Sequence, residues 1–103
     1  ILADPEGSII GGGAEGCYKV EGIGNDFIPK TMEMSLVDDV IKTNDKDSFE
    51  TVRTLAKKEG ILVGSSSGAA VFAALKLAEK IDNGNIVVIL PDRGDRYFST
   101  DLF

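Results

Sequence analysis

Three consecutive hydroxyls stand out in Gly64-Ser65-Ser66-Ser67-Gly68, a run that joins the short apolar segment Ile61–Val63 to a long amphipathic stretch. A strand that passes through such a loop into a helix leaves unpaired N–H groups at the helix start. With hydroxyls beside them, these form a polar small-molecule site at the carboxyl end of a strand. A plain helix cap with small residues for close packing fits the same string, since serine is a common cap. The lysine that a Walker phosphate loop requires is missing.

Two further groups could share a site with it. Gly22-Ile23-Gly24, flanked by Glu21 and Asp26, reads as a turn, and also as a place where backbone approaches a planar ligand closely. Pro91-Asp92 follows the apolar run Ile86–Leu90, and open α/β sheets hold ligands at the carboxyl ends of their strands.

Other chemistry is excluded. The chain contains no histidine, so no Ser-His-Asp or Cys-His relay and no His-ligated zinc can be built from it, and no metal site is read. The single cysteine, Cys17, cannot form an internal disulfide, and a reducing cytoplasm is its natural setting. Gly11-x-Gly13-x-x-Gly16 matches the dinucleotide fingerprint as a string, but β-like Cys17–Val20 follows it where a helix is required, so it reads as a flexible loop.

The elements that must position these groups follow from periodicity. Ile1–Ala3 reads as the tail of a strand and Asp4–Ser8 as a turn. Residues 36–42 suit a helix or a short strand, with strand favoured. A helix is expected from Ser48 to Lys58, capped by Asp47 and Glu50, with Phe49, Val52, Leu55 and Ala56 on one face and Gly60 at its end. Ile61–Val63 reads as a buried strand. A second helix is expected from Ser67 to Ile81, with Val71, Leu75 and Ala78 inward, ending at Asp82-Asn83-Gly84. Ile86–Leu90 has the continuous β-branched character of a parallel strand covered on both faces. This alternation predicts a three-layer α/β fold with a parallel sheet, in one domain at most for 103 residues.

The net charge is −6, and the 11 basic residues lie singly or in pairs, which argues against nucleic acid. No apolar run is long enough to span a bilayer as a helix.

Four blocks in order, Asp4–Ser8, Val20–Pro29, Glu59–Val71 and Val87–Phe103, resemble the carboxyl-terminal part of the cysteine synthase/cystathionine β-synthase family of pyridoxal-phosphate enzymes. That resemblance implies the fold type II, tryptophan synthase β-like architecture, with residues 1–103 as the C-terminal part of the catalytic domain. The family's Schiff-base lysine, asparagine loop and phosphate cup correspond to segments preceding anything here, so no residue of this chain is assigned as catalytic.

The resemblance implies that Ser66 hydrogen-bonds the pyridine nitrogen of pyridoxal 5'-phosphate. It also implies that Gly22 and Gly24 line the cofactor and substrate side of the cleft, and that Pro91 and Asp92 lie beside the ring. A neutral hydroxyl does not hold that nitrogen protonated as a carboxylate would, which suits β-elimination and replacement better than transamination. Asp4–Ser8, Glu21 and Asp26 look more like cystathionine β-synthases than cysteine synthases, and the Gly64–Gly68 run looks like bacterial members of that branch. Asn25 stands where eukaryotic members commonly have tyrosine, which leaves the first substrate, serine or O-acetylserine, open. Glu21 is the candidate contact for homocysteine, and a solvated carboxylate fits it nearly as well.

The implied reaction is β-replacement on a serine derivative by homocysteine, in a cytoplasmic homodimer acting on small amino-acid substrates. Cysteine synthase, with sulfide as nucleophile, is the alternative within the family. A non-catalytic anion-binding α/β module is the alternative outside it.

Overall fold

The computed structural model describes residues 1–103. Strand β1 (Leu2–Pro5) lies parallel to β2 (Val40–Thr43), with Leu2 opposite Val40 and Pro5 opposite Thr43. Two helices follow, α1 (Asp45–Glu59) and α2 (Ser65–Ala78). They pack extensively against each other, and α2 also contacts both strands. Ile1–Ala3 thus leads into a strand as expected. Asp4-Pro5, expected in a turn, instead completes that strand, and the chain turns at Gly7 (φ 104). The ambiguous stretch 36–42 resolves into a single 3-10 turn, Met34–Leu36, followed by β2.

Helix α1 begins a turn earlier than the expected Asp47/Glu50 cap would place it. Asn44 is the cap: its side-chain oxygen accepts the Asp47 N–H at 2.8 Å, and its amide donates to Asp47 Oδ2 at 2.8 Å. The asparagine wins because Asp45 and Asp47 then sit in the first turn, where the positive end of the helix dipole favours carboxylates. Gly60 ends the helix in the left-handed region (φ 68), as its position suggested. The predicted inner face is real. Val52 is fully buried, and with Val63 and Leu102 it forms the core against which Phe49 and Leu55 pack.

Helix α2 departs from expectation in its extent and its buried face. It starts at Ser65 and ends at Ala78, and Leu75 is exposed while Gly68, Ala69 and Ala73 are buried. Small residues win this face because α1 approaches closely. A methyl group at Gly68 would meet the Ser48 carbonyl oxygen and lie 2.6 Å from Val52 Cγ2.

The two remaining expected strands lack ladders. Ile61 and Leu62 are exposed, and only Val63 pairs, in one antiparallel bridge with Arg93. Ile86–Leu90 runs with no strand partner among the 103 residues, and Val87 and Ile89 face solvent. A β-branched run needs at least one hydrogen-bonding neighbour to become a strand, and none of this chain's other segments pairs its backbone with it. With Ile1, Ala73 and Leu77 it lines an apolar groove of about 420 Å³. No helix is long and apolar enough to cross a membrane.

Candidate active site

Helix α2 opens on Gly64, which provides no side-chain cap, so the first N–H groups of the helix have no partner from the residue that would normally supply one. The three serines behind it have different fates. Ser65 Oγ accepts the N–H of Glu21 at 3.0 Å. Ser67 Oγ is sealed in the interior without a partner. Ser66, 5% exposed, makes no side-chain hydrogen bond, yet its hydroxyl is not sealed off. It alone of the three is neither engaged within the chain nor fully sealed.

Two loops converge on this helix start. Glu21 arrives through its N–H bond to Ser65, and Lys19 and Val20 just before it donate their N–H groups to Asp45 Oδ1 at 2.8 and 3.1 Å. The Asp92 loop arrives through the Gly64 N–H, which donates to the Asp92 carbonyl at 3.4 Å, and the Gly94 N–H, which donates to Leu62 at 3.1 Å. Glu21, Ser66 and Asp92, far apart in the sequence, therefore meet at one helix terminus, with Gly22 and Pro91 next to them in the chain. Asn25 is fastened elsewhere, to Ser8, and makes no hydrogen bond to the α2 group.

Gly22 and Gly24 have φ of 83° and 75°, values that favour glycine. At Gly24 space also forbids a side chain: a methyl there would lie within 3 Å of Pro5, Tyr18 and Ser8 atoms. The glycine loop thus rests directly on the Pro5–Ser8 turn.

Electrostatically the helix start carries the positive end of the α2 dipole. The Asp92 carboxylate is engaged by the Tyr97 hydroxyl through Oδ2, while its Oδ1 is buried without a partner above Gly64. The hydrogen bond to Asp92 and partial burial push the Tyr97 hydroxyl up to about 12. A cleft of about 280 Å³ lies beside Ser65, between Lys19, Glu21, Tyr97 and Asp101.

Sequence reasoning did not single out Ser8, Ser65, Asp45 or Tyr97. Ser65 was legible only as one of a serine run. Tyr97, five residues after Asp92, carried no periodic signal because it belongs to a short 3-10 turn, Gly94–Tyr97.

A small parallel-sheet α/β unit with loops converging on a hydroxyl-bearing helix start is the frame of a cofactor-binding enzyme domain. The pattern of the family described as "Pyridoxal-phosphate dependent enzyme" matches residues 1–92, and the chain belongs to that family. It is 45% identical over its whole length to the O-acetylserine dependent cystathionine β-synthase of Bacillus subtilis, covering 34% of that protein. It is 50% identical to a cysteine synthase of Buchnera aphidicola, over 85% of this chain and 28% of that protein. The crystal structure of O-acetylserine dependent cystathionine β-synthase from Helicobacter pylori superposes with a TM-score of 0.89 at 46% identity, over 97% of this chain and 33% of that one. The chain thus spans about a third of the length of the relatives it matches, and the fold type II reading holds.

The donor set fits a pyridoxal phosphate ring. Ser66 offers a spare hydroxyl and the positive end of the helix disfavours a protonated ring nitrogen, while Asp92, whose Oδ2 is held by Tyr97, keeps a buried Oδ1 without a partner.

Proposed function

We propose that residues 1–103 are the C-terminal part of the catalytic domain of an enzyme that replaces the β-acetoxy or β-hydroxyl group of a serine derivative with homocysteine. The observation that carries this reading is the unengaged Ser66 hydroxyl at the start of α2, flanked by the Glu21–Gly24 and Pro91–Asp92 loops. The name of the Bacillus subtilis relative supports O-acetylserine as the first substrate.

The chain's residues then take the following parts. Ser66 would hold the pyridine nitrogen by a hydrogen bond, and the positive end of α2 would disfavour its protonation. Pyridoxal phosphate, when bound, supplies an electron sink whose strength this arrangement moderates, favouring loss of a β-substituent over transamination. Gly22 and Gly24 would let the loop backbone approach cofactor and substrate, and Pro91 and Asp92 would lie beside the ring. Glu21, exposed at the mouth, would meet the ammonium group of homocysteine, with Asn25 further along the same loop toward the first substrate. The Schiff-base lysine belongs, on this reading, to a segment preceding residue 1. A cytoplasmic homodimer completes the proposal.

The second reading, cysteine synthase, draws support from the Buchnera aphidicola relative and its name. Family membership leaves the anion-binding module without an observation in its favour. The deciding experiment supplies the full chain with O-acetylserine and either homocysteine or sulfide, and separates the products. Cystathionine formed at a higher kcat/KM than cysteine supports the first reading, and the reverse order overturns it.

A further inference from the structure

The loop Glu21–Asn25 has an unusual means of support. Its three central residues, Gly22, Ile23 and Gly24, make no backbone hydrogen bond, and two of them are glycines at positive φ. Such a segment has much conformational freedom to lose. Its two ends are nevertheless fixed, each by one buried serine. At the first end Ser65, 3% exposed, accepts the Glu21 N–H at 3.0 Å. At the other end Ser8, fully buried, accepts the Asn25 N–H at 3.0 Å and donates to the Asn25 carbonyl at 3.2 Å. The Ile9 N–H reinforces that end with a 2.8 Å bond to the same carbonyl.

The two serines come from different parts of the fold. Ser65 is the first residue of α2, directly before Ser66, so the position of Glu21 follows that of the helix carrying the candidate cofactor contact. Ser8 closes the turn after β1, and its own carbonyl accepts from Lys42 on β2 at 2.9 Å. The loop is therefore referenced to helix and sheet at once. Both clamps act on backbone groups and leave the Glu21 side chain free at the mouth of the site.

We propose that Ser8 and Ser65 are positioning residues that together hold the Glu21–Asn25 loop in the one conformation that seats the incoming amino-acid nucleophile. This rests on the homocysteine reading above. Orientation of a second reactant depends on such fixed geometry, and a small misplacement carries a large rate cost. Sulfide has no amino-acid headgroup to seat, so it should depend on the clamp less than homocysteine does.

The test uses the full chain as holoenzyme, with Ser65→Ala, Ser8→Ala and the hydroxyl-retaining Ser65→Thr. Loss of one clamp should raise KM for homocysteine about tenfold, the worth of one hydrogen bond. KM for the first substrate and the rate with sulfide should change several-fold less than KM for homocysteine, and Ser65→Thr should restore most of the loss. In parallel, amide hydrogen exchange should lose protection at Glu21 in Ser65→Ala and at Asn25 in Ser8→Ala, with α1 and β2 unchanged. Unchanged exchange at both amides overturns the clamp, as does a proportional loss with both nucleophiles or protection lost throughout α1. A wild type that makes only cysteine overturns the homocysteine reading instead. Exchange at Glu21 and Asn25 then decides the clamp by itself.

Discussion

The Tyr97 hydroxyl donates to Asp92 Oδ2, and the second oxygen of that carboxylate lies buried and unpaired above Gly64. One phenol therefore keeps a carboxylate in place at the start of α2. Removing it with Tyr97→Phe leaves both Asp92 oxygens without a protein partner, at a cost of about 1–3 kcal/mol. Urea unfolding at neutral pH measures that loss.

The same bond gives a pH dependence. The Tyr97 hydroxyl titrates higher in the folded chain, at about 12, than its ordinary 10.0, because its protonated form donates to Asp92. A raised value means that the folded state retains the proton longer, so the contribution is complete below pH 10.0 and is lost as pH rises through about 12. The stability gap between wild type and Tyr97→Phe should narrow over that window. A gap that stays constant through it would show that the hydroxyl proton contributes nothing.

Gly68→Ala sets two effects against each other. Alanine is the better helix former by about 1 kcal/mol in a helix interior. Here the added methyl would run into the Ser48 carbonyl oxygen and approach Val52 Cγ2 to 2.6 Å, both on the facing helix. Overpacking of this kind costs about 1–3 kcal/mol. The contact outweighs the propensity, and the variant should unfold at lower denaturant. A neutral or stabilised Gly68→Ala would mean that α1 and α2 can separate at no cost.

How much of this was legible in the sequence depends on whether the information was local. Helix α1 could be read because Phe49, Val52 and Leu55 repeat at helical spacing and Gly60 marks its end. Its true start was misplaced because Asn44 and Asp45 compete with Asp47 for the cap, and only the chain entering from β2 decides. In α2 the spacing of Val71, Leu75 and Ala78 misled. The buried face is set by the close approach of α1, to which Gly68, Ala69 and Ala73 conform and leucine cannot. Ile86–Leu90 has the composition of a central strand, but composition does not supply a hydrogen-bonding neighbour. Of the candidate site residues, Glu21, Ser66 and Asp92 meet at the start of α2 with Gly22 and Pro91 beside them in the chain, while Gly24 and Asn25 are held against the Pro5–Ser8 turn. The clamps at Ser8 and Ser65 were invisible because each joins positions far apart in sequence, 17 and 44 residues respectively.

The Asp4–Lys42 pair across β1 and β2 predicts an asymmetry between its two members. Asp4 is 1% exposed and also accepts the Gly11 N–H at 2.9 Å, while the Lys42 side chain is 29% exposed. If Lys42→Met removes the cation, Asp4 cannot reach water and is left as a buried charge with one N–H partner. Breaking a buried pair in this way costs about 3–5 kcal/mol. If Asp4→Asn removes the anion, Lys42 can turn outward, and the amide oxygen can still accept from Gly11. That variant should lose only about 1–2 kcal/mol, the value of a hydrogen bond weakened by loss of charge. Equal losses, compared by urea midpoint, would contradict the difference in burial.

Ser66 should separate stability from activity. Its hydroxyl has no partner within the chain, so Ser66→Ala removes no protein hydrogen bond and places a good helix former in the first turn of α2. Stability should stay within about 0.5 kcal/mol of wild type. If the hydroxyl holds the pyridine nitrogen, turnover of the full chain should fall about tenfold, the worth of one hydrogen bond. Ser66→Asp should act further in the same direction on β-replacement, because a carboxylate at that position favours a protonated ring nitrogen against the pull of the helix dipole. Its signature would be a changed cofactor absorbance together with slower product formation. Steady-state rates unchanged in Ser66→Asp would remove Ser66 from the cofactor's contacts and leave it as a small residue that lets α2 start close to the Asp92 loop.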